Sequence, residues 1–460
     1  MSASVKTKFF VEKFNKISEW LFLAFIAECA VGSSGRWLEV GPLSIRMILF
    51  ALAFVFSLPA VISKFFELAK NLQVIFTVLF GIYIAFSAFV GFTSGNQLGF
   101  VAADVTTLMT LALIPGFMAV MCNKQAIERS MKVIFWASAV LAVITVLLHI
   151  IIAILNNNDF VYNLNKLINA DSLGGLAALK TGMHRIYFKS QIFFQVAIVY
   201  GVWFFGQGSR KQKIITAVFE GIIFCAFILS YTRGFWFGLG IAAIALLICG
   251  FKYWKHYFKT VGAILSVFAV FVLISAISYR GALVPIEIVN RFDPTLIVVD
   301  SVWGQEGLDN FFDEDSDLVD ENNIEAANRR AETLAALEKK IAAHPIFGNG
   351  LGENLDGVRN DGKTEYMYLD MLMKTGIVGT LLFIGTYFWC VVKQIRCAHL
   401  RRKKQLGKPE WNSAYVRNLF VLMGYISVAA TSLFNPFLNN PMGIMLLMVT
   451  SAAMYEKEAE

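Results

Sequence analysis

From Ile214 to Gly250 the chain is apolar apart from two charges, Glu220 and Arg233. A helix crosses a bilayer's hydrocarbon core with about 20 apolar residues. The run is therefore too long for one crossing and reads as two short helices joined at "YTRG", residues 231–234. A guanidinium stranded at the bilayer centre costs about 2.5–3.5 kcal/mol. A turn at Arg233 would place that charge at an interface instead.

Similar runs recur near 17–35, 43–62, 72–92, 99–121, 133–155, 186–206, 260–278, 367–392, 417–434 and 441–454. The pattern predicts an all-α polytopic membrane protein with about 12 transmembrane helices, or eleven if the short last run does not cross. A 57% hydrophobic and 16% charged composition excludes an ordinary soluble domain. The pI near 8.9 then belongs to cytoplasmic loops and points to no nucleic acid. The six cysteines sit in apolar runs or short basic loops, where they read as small buried hydrophobes and form no disulfide framework. Lys6, Lys8, Lys13 and Lys16 ahead of the first run resemble a signal anchor.

Charge fixes the expected orientation. With the N-terminus inside, cytoplasmic segments hold 24 of the 40 Lys and Arg, and short external loops hold 3. Both termini are then cytoplasmic. The expected organisation is helices one to nine over 1–278, with an external loop at 156–185. A large, partly helical external domain follows at 279–366, and helices ten to twelve occupy 367–460. The turn at Arg233 faces outward, and so do Glu28, Arg36, Asp104 and Arg185. Only Glu220 lies toward the inner side. Such clustering predicts a polar cavity opening outward, where arginines can bind phosphate or carboxylate bidentately and stay charged.

Within the external domain, Asn322 and Glu325 have capping-box spacing and start a helix that ends at His344–Pro345. Arg330, Leu334, Leu337, Ile341 and His344 share one face of it. Arg330 therefore points with the apolar stripe and needs an anionic partner, either a protein carboxylate or a substrate. Asp313, Asp315 and Asp317 alternate like calcium ligands, but Leu318 stands at the loop glycine and Ile324 at the bidentate glutamate. The run reads as a solvated acidic loop, and no metal site is expected. "GNGLGEN", 348–354, follows a helix and not a strand, which excludes a dinucleotide fingerprint.

Several motifs in order resemble the O-antigen ligase and polymerase family. "SYTRGFWF" at 230–237 resembles its Ser/Thr-x-x-Arg turn. Arg330 matches an arginine ahead of a Pro-x-x-Gly-x-Gly turn, here Pro345, Gly348 and Gly350. "EYMYLDMLMKTGIVGTLLF", 365–383, resembles the segment that follows, and "HRIYF", 184–188, an arginine ahead of an earlier span. Eleven residues before the Gly-x-x-Gly that starts at Gly376, that family carries a histidine base. Glu365 stands there in this chain, and a carboxylate can also act as a general base.

The resemblance implies a glycosyltransferase of the bacterial inner membrane with a periplasmic active site. Its donor would be a glycan on a polyprenyl diphosphate held in the lipid, and its acceptor a sugar hydroxyl. Arg185, Arg233 and Arg330 would bind the diphosphate, and Glu365 would serve as base. The leaving group is already activated, so no cofactor or metal is implied. The acceptor would be lipid A–core sugar in a ligase, the reading the overall pattern favours, or another lipid-linked repeat unit in a polymerase. A secondary transporter with 12 helices and a non-catalytic export scaffold are the readings from other classes.

Overall fold

A computed structural model describes residues 3–33, 35, 39–40, 43–170, 173–179, 182–279, 281, 283–291, 321–355, 364–403 and 409–456. Arg36 and the acidic run at Asp313, Asp315 and Asp317 lie outside these residues. The chain is mostly helical. Eight described segments are long and apolar enough to cross a membrane: Ile45–Ser63, Leu72–Thr93, Leu98–Met121, Lys124–Leu155, Arg210–Leu229, Arg233–Ser278, Met367–Arg401 and Ala414–Thr431. Arg233–Ser278 is two helices, Arg233–Gly250 and Trp254–Ser278, hinged at a 3-10 turn. Pro441–Tyr455 is apolar but shorter.

Polar caps mark where several helices begin. Asn71, Asn123, Ser413 and Asn440 each accept a backbone N–H from the first turn, and Ser209 closes a full capping box with Gln212. Each cap satisfies a donor that would otherwise be orphaned. Ile192–Gln207 is buried at every position from Ile192 to Gly201. A helix that is apolar all round belongs inside. It packs against Lys124–Leu155, Arg210–Leu229 and Ala414–Thr431 and forms the centre of the bundle.

The fold departs from all-α where a sixth span was expected to begin at residue 186. Residues His184–Phe188 form a strand paired antiparallel with Gly174–Ala178, and helix starts only at Ile192. The alternation explains it: Ile186 and Phe188 are buried on one face, while Arg185 and Tyr187 point the other way. The partner strand needs glycine, because a Cβ on Gly174 would lie 1.9 Å from the Tyr187 carbonyl oxygen. A second, two-residue pair joins Glu39–Val40 to Leu43–Ser44.

The second departure is inside Met367–Lys403, which breaks at Gly376 with φ of 61° and ψ of −170°. A broken membrane helix must satisfy its freed carbonyls from elsewhere. The glycine turn 345–352 does this. Asn349 N–H donates to Met373 O and Gly350 N–H to Lys374 O, at 2.9 and 3.0 Å. Tyr83 Oη donates to Thr375 O at 2.8 Å, and Ile377 N–H returns to Pro345 O. Gly348, Gly350 and Gly352 all have φ between 76° and 87°. A Cβ on Gly350 would sit 2.2 Å from the backbone of Gly91 on the neighbouring helix. The glycines that rule out a nucleotide loop thus let backbone lie on backbone.

Candidate functional site

The strand 184–188 carries Arg185 to the junction of helices 210–229 and 233–250. Its Nε donates to Ser230 O at 2.7 Å and its Nη2 to Thr232 Oγ1 at 3.1 Å. The guanidinium also lies 5.4 Å from the centre of the Tyr187 ring. Ser230 follows the last turn of a helix, where the dipole is negative and favours a cation. Tyr231 turns the chain in a left-handed conformation, φ 44°, and Arg233 opens the next helix. Arg185 therefore shares one turn with Arg233. Burial pushes the Tyr187 phenol up to about 12 against the opposing pull of Arg185, so it stays neutral and hydrogen-bonding. Burial also holds the His184 imidazole below its ordinary value.

The helix Glu321–Ala343 docks by its apolar stripe. Leu337 is buried with Leu355 and Met373, and Ile341 and Tyr366 pack beside them. Lys340 pairs with Glu353 in the glycine turn. Arg330, on the same face, meets Glu365 with Nε 3.1 Å from Oε2, both side chains more than a third exposed. The partner that the helix face demanded is thus a protein carboxylate, and the same carboxylate that was expected to act as base. His344 is exposed beyond the helix end.

Of the other charges, Glu28 forms a 2.5 Å pair with Arg46 that fastens the first helix to the second. Glu220 is fully buried against Gly201. Asp104 behaves differently. It joins Asp370 around the ammonium of Lys374, each carboxylate 3.0 Å from Nζ, with Lys374 only 2% exposed. Gly352 N–H donates to Asp104 at 2.9 Å, so the glycine turn also fixes this cluster. Sequence reading passed over Asp370 and Lys374. Their i, i+4 spacing in an apolar segment, "DMLMK", was the available signal.

A cavity of about 250 Å³ connects these parts. Asp104, Asp370 and Lys374 line it. So do Tyr187, which carries Arg185 against its ring, and Thr364, which immediately precedes Glu365. Asn435 lines it too, and its Nδ2 lies 2.9 Å from where a Cβ of Gly234 would stand, next to Arg233. Arg185, the Arg233 turn and the Glu365–Arg330 pair each lie beside a residue that lines this cavity, without lining it themselves.

Fold and site define a polytopic membrane protein with a polar cavity whose charged lining is Asp104, Asp370, Lys189 and Lys374. Residues 216–384, spanning the Arg233 turn, helix 321–343, the glycine turn and the broken helix, match the family model described as O-antigen ligase. Over that segment the chain is similar to the O-antigen ligase family. No curated protein matches the chain.

Proposed function

We propose that this chain is a glycosyltransferase of the bacterial inner membrane, with both termini cytoplasmic and the cavity facing the periplasm. It would transfer a glycan from a polyprenyl diphosphate carrier to an acceptor sugar hydroxyl. We read it as an O-antigen ligase, with lipid A–core sugar as the acceptor. The observation that carries this reading is a polar cavity lined by Asp104, Asp370 and Lys374, with Arg185, the Arg233 turn and the Arg330–Glu365 pair beside its lining residues Tyr187, Asn435 and Thr364. The family match over 216–384 supports the reaction class.

In the reaction, Arg185 and Arg233 hold the diphosphate at headgroup depth while the polyprenyl chain stays in lipid. Guanidinium suits this task because its planar fork meets phosphate oxygens in pairs. The diphosphate then competes with Glu365 for Arg330. Once released, the Glu365 carboxylate takes the proton of the acceptor hydroxyl as that oxygen bonds to the anomeric carbon. The bond from anomeric carbon to diphosphate oxygen breaks, and the arginines stabilise the departing charge. That leaving group needs no further activation by metal or nucleotide.

A secondary transporter finds one supporting observation, the broken helix beside buried charges. In this chain the carbonyls of Met373, Lys374 and Thr375 are taken by the glycine turn and Tyr83, so they are engaged in holding the fold. The test is in-vitro transfer from a purified lipid-linked glycan, comparing the wild type with Arg233→Ala, Arg330→Ala and Glu365→Gln. Loss of transfer in all three supports the assignment, and full activity in Arg330→Ala and Glu365→Gln removes it. Lipopolysaccharide from a deletion strain separates the acceptors. Free lipid-linked polymer without attachment marks a ligase, and a single repeat unit on the core marks a polymerase.

A further inference from the structure

The formal charge of the cavity differs from that of its border. The charged side chains lining it are two carboxylates, Asp104 and Asp370, and two ammonium groups, Lys189 and Lys374. These cancel. The guanidinium of Arg185 touches the cavity only through Tyr187. A diphosphate would thus meet no net positive charge inside the chamber, whereas an uncharged ligand rich in hydroxyls would meet both donors and acceptors. Three carboxamides, Asn435, Asn439 and Asn440, and two hydroxyls, Thr107 and Thr364, add to that set, with Phe437 and Tyr187 as apolar faces.

Two further observations narrow the ligand. The place a metal cation would take between the carboxylates is filled by Lys374 Nζ, 3.0 Å from each. This leaves two anchored acceptors with a built-in counterion. The volume of about 250 Å³ is below the roughly 300–1,000 Å³ of drug-sized pockets. It suits one sugar ring of a longer glycan.

We infer that this cavity is a saccharide subsite for a single uncharged sugar ring, distinct from the arginine-bordered seat of the diphosphate. Asp104 and Asp370 accept hydrogen bonds from vicinal ring hydroxyls, and Asn439 donates to a ring oxygen. Lys374 acts as a positioning residue because it holds the two carboxylates at a fixed separation. The inference rests on the glycosyl-transfer reading for the source of the sugar, but its recognition chemistry can be tested apart from transfer.

The full chain in lipid nanodiscs is titrated with neutral hexoses, hexuronates and inorganic diphosphate, and binding is read by saturation-transfer NMR. The expected result is binding of a neutral hexose that is abolished in Thr107→Trp, which fills the chamber from a half-buried helix position. In Asn439→Ala it should weaken by about tenfold, the loss of one buried hydrogen bond. Diphosphate binding should survive both changes and fall in Arg233→Ala. Hexose binding that persists in Thr107→Trp, or a preference for hexuronate or diphosphate lost in that variant, overturns the inference. If the wild type shows no glycan transfer but hexose binding responds to Thr107→Trp, the transferase reading fails and the subsite stands. If transfer is present and Thr107→Trp leaves both transfer and hexose binding unchanged, the subsite fails and the transferase reading stands.

Discussion

Two sets of opposite charges sit a short way apart along the same stretch of chain, and they are built for different purposes. Lys374 with Asp104 and Asp370 is buried, its ammonium 2% exposed and one carboxylate also capped by a backbone N–H. Arg330 with Glu365 is more than a third exposed on both sides, and Arg330 lies mid-way along a helix whose Leu337 is buried with Leu355 and Met373. Removing one partner of a buried pair strands an uncompensated charge, whereas an exposed pair contributes about 0–1 kcal/mol. The first set is therefore fixed architecture. The second can open and re-form at little cost, as the proposed exchange of Glu365 for a substrate anion would require.

The sharpest way to break this comparison is Lys374→Ala. It leaves two buried carboxylates facing each other and should destabilise the chain by about 3–5 kcal/mol, read as lost thermal stability in detergent. A stability close to wild type would show that the cluster is solvated and not a fixed element. On the other side, Glu365→Gln should lower transfer by roughly 10²–10⁴-fold, the range of a general base. Its thermal unfolding should shift by less than about 1 kcal/mol. A large stability loss with activity retained would reverse the roles assigned to the two sets.

Gly352→Ala tests how the buried set is held. With φ at 76° and a Cβ only 2.5 Å from the Val101 side chain, the change should cost about 1–3 kcal/mol from backbone strain alone. It should also impair transfer by disturbing Asp104. The smallest effect concerns the strand that carries Arg185. Burial lowers the folded His184 value, so the neutral imidazole is the favoured form. Its contribution to stability is fully present above the ordinary imidazole value of about 6.5 and is lost as pH falls through the folded value. Hydrogen exchange across the 174–178 and 184–188 pairing should therefore quicken on mild acidification, and less so in His184→Gln.

Much of this could be read from residues alone. The long run at 214–250 does fold as two helices with Arg233 at their junction. The helix 321–343 stops at Ala343, before Pro345, and buries Leu337 and packs Ile341 as its periodicity requires. The strand at 184–188 was hidden because Ile186, Tyr187 and Phe188, ahead of the apolar run from Ile192, look like the start of one span. The break at Gly376 was hidden because the apolar pattern continues through it. Lys374 gave no warning of its second partner, because Asp104 belongs to a helix near the other end of the chain. Arg330 was the intermediate case: its helix face demanded an anion, and only the tertiary structure names Glu365.

The turn 345–352 has a consequence for the history of this chain. Its backbone rests on Gly91 and Val101 and accepts Tyr83 as a second lock, so the segment 321–352 has its foundations among the early membrane helices. A transplant of that segment alone into a relative would arrive without its footings. Positions 83, 91 and 101 must travel with it, and any lineage that enlarged Gly91 would have had to rebuild the turn in the same step.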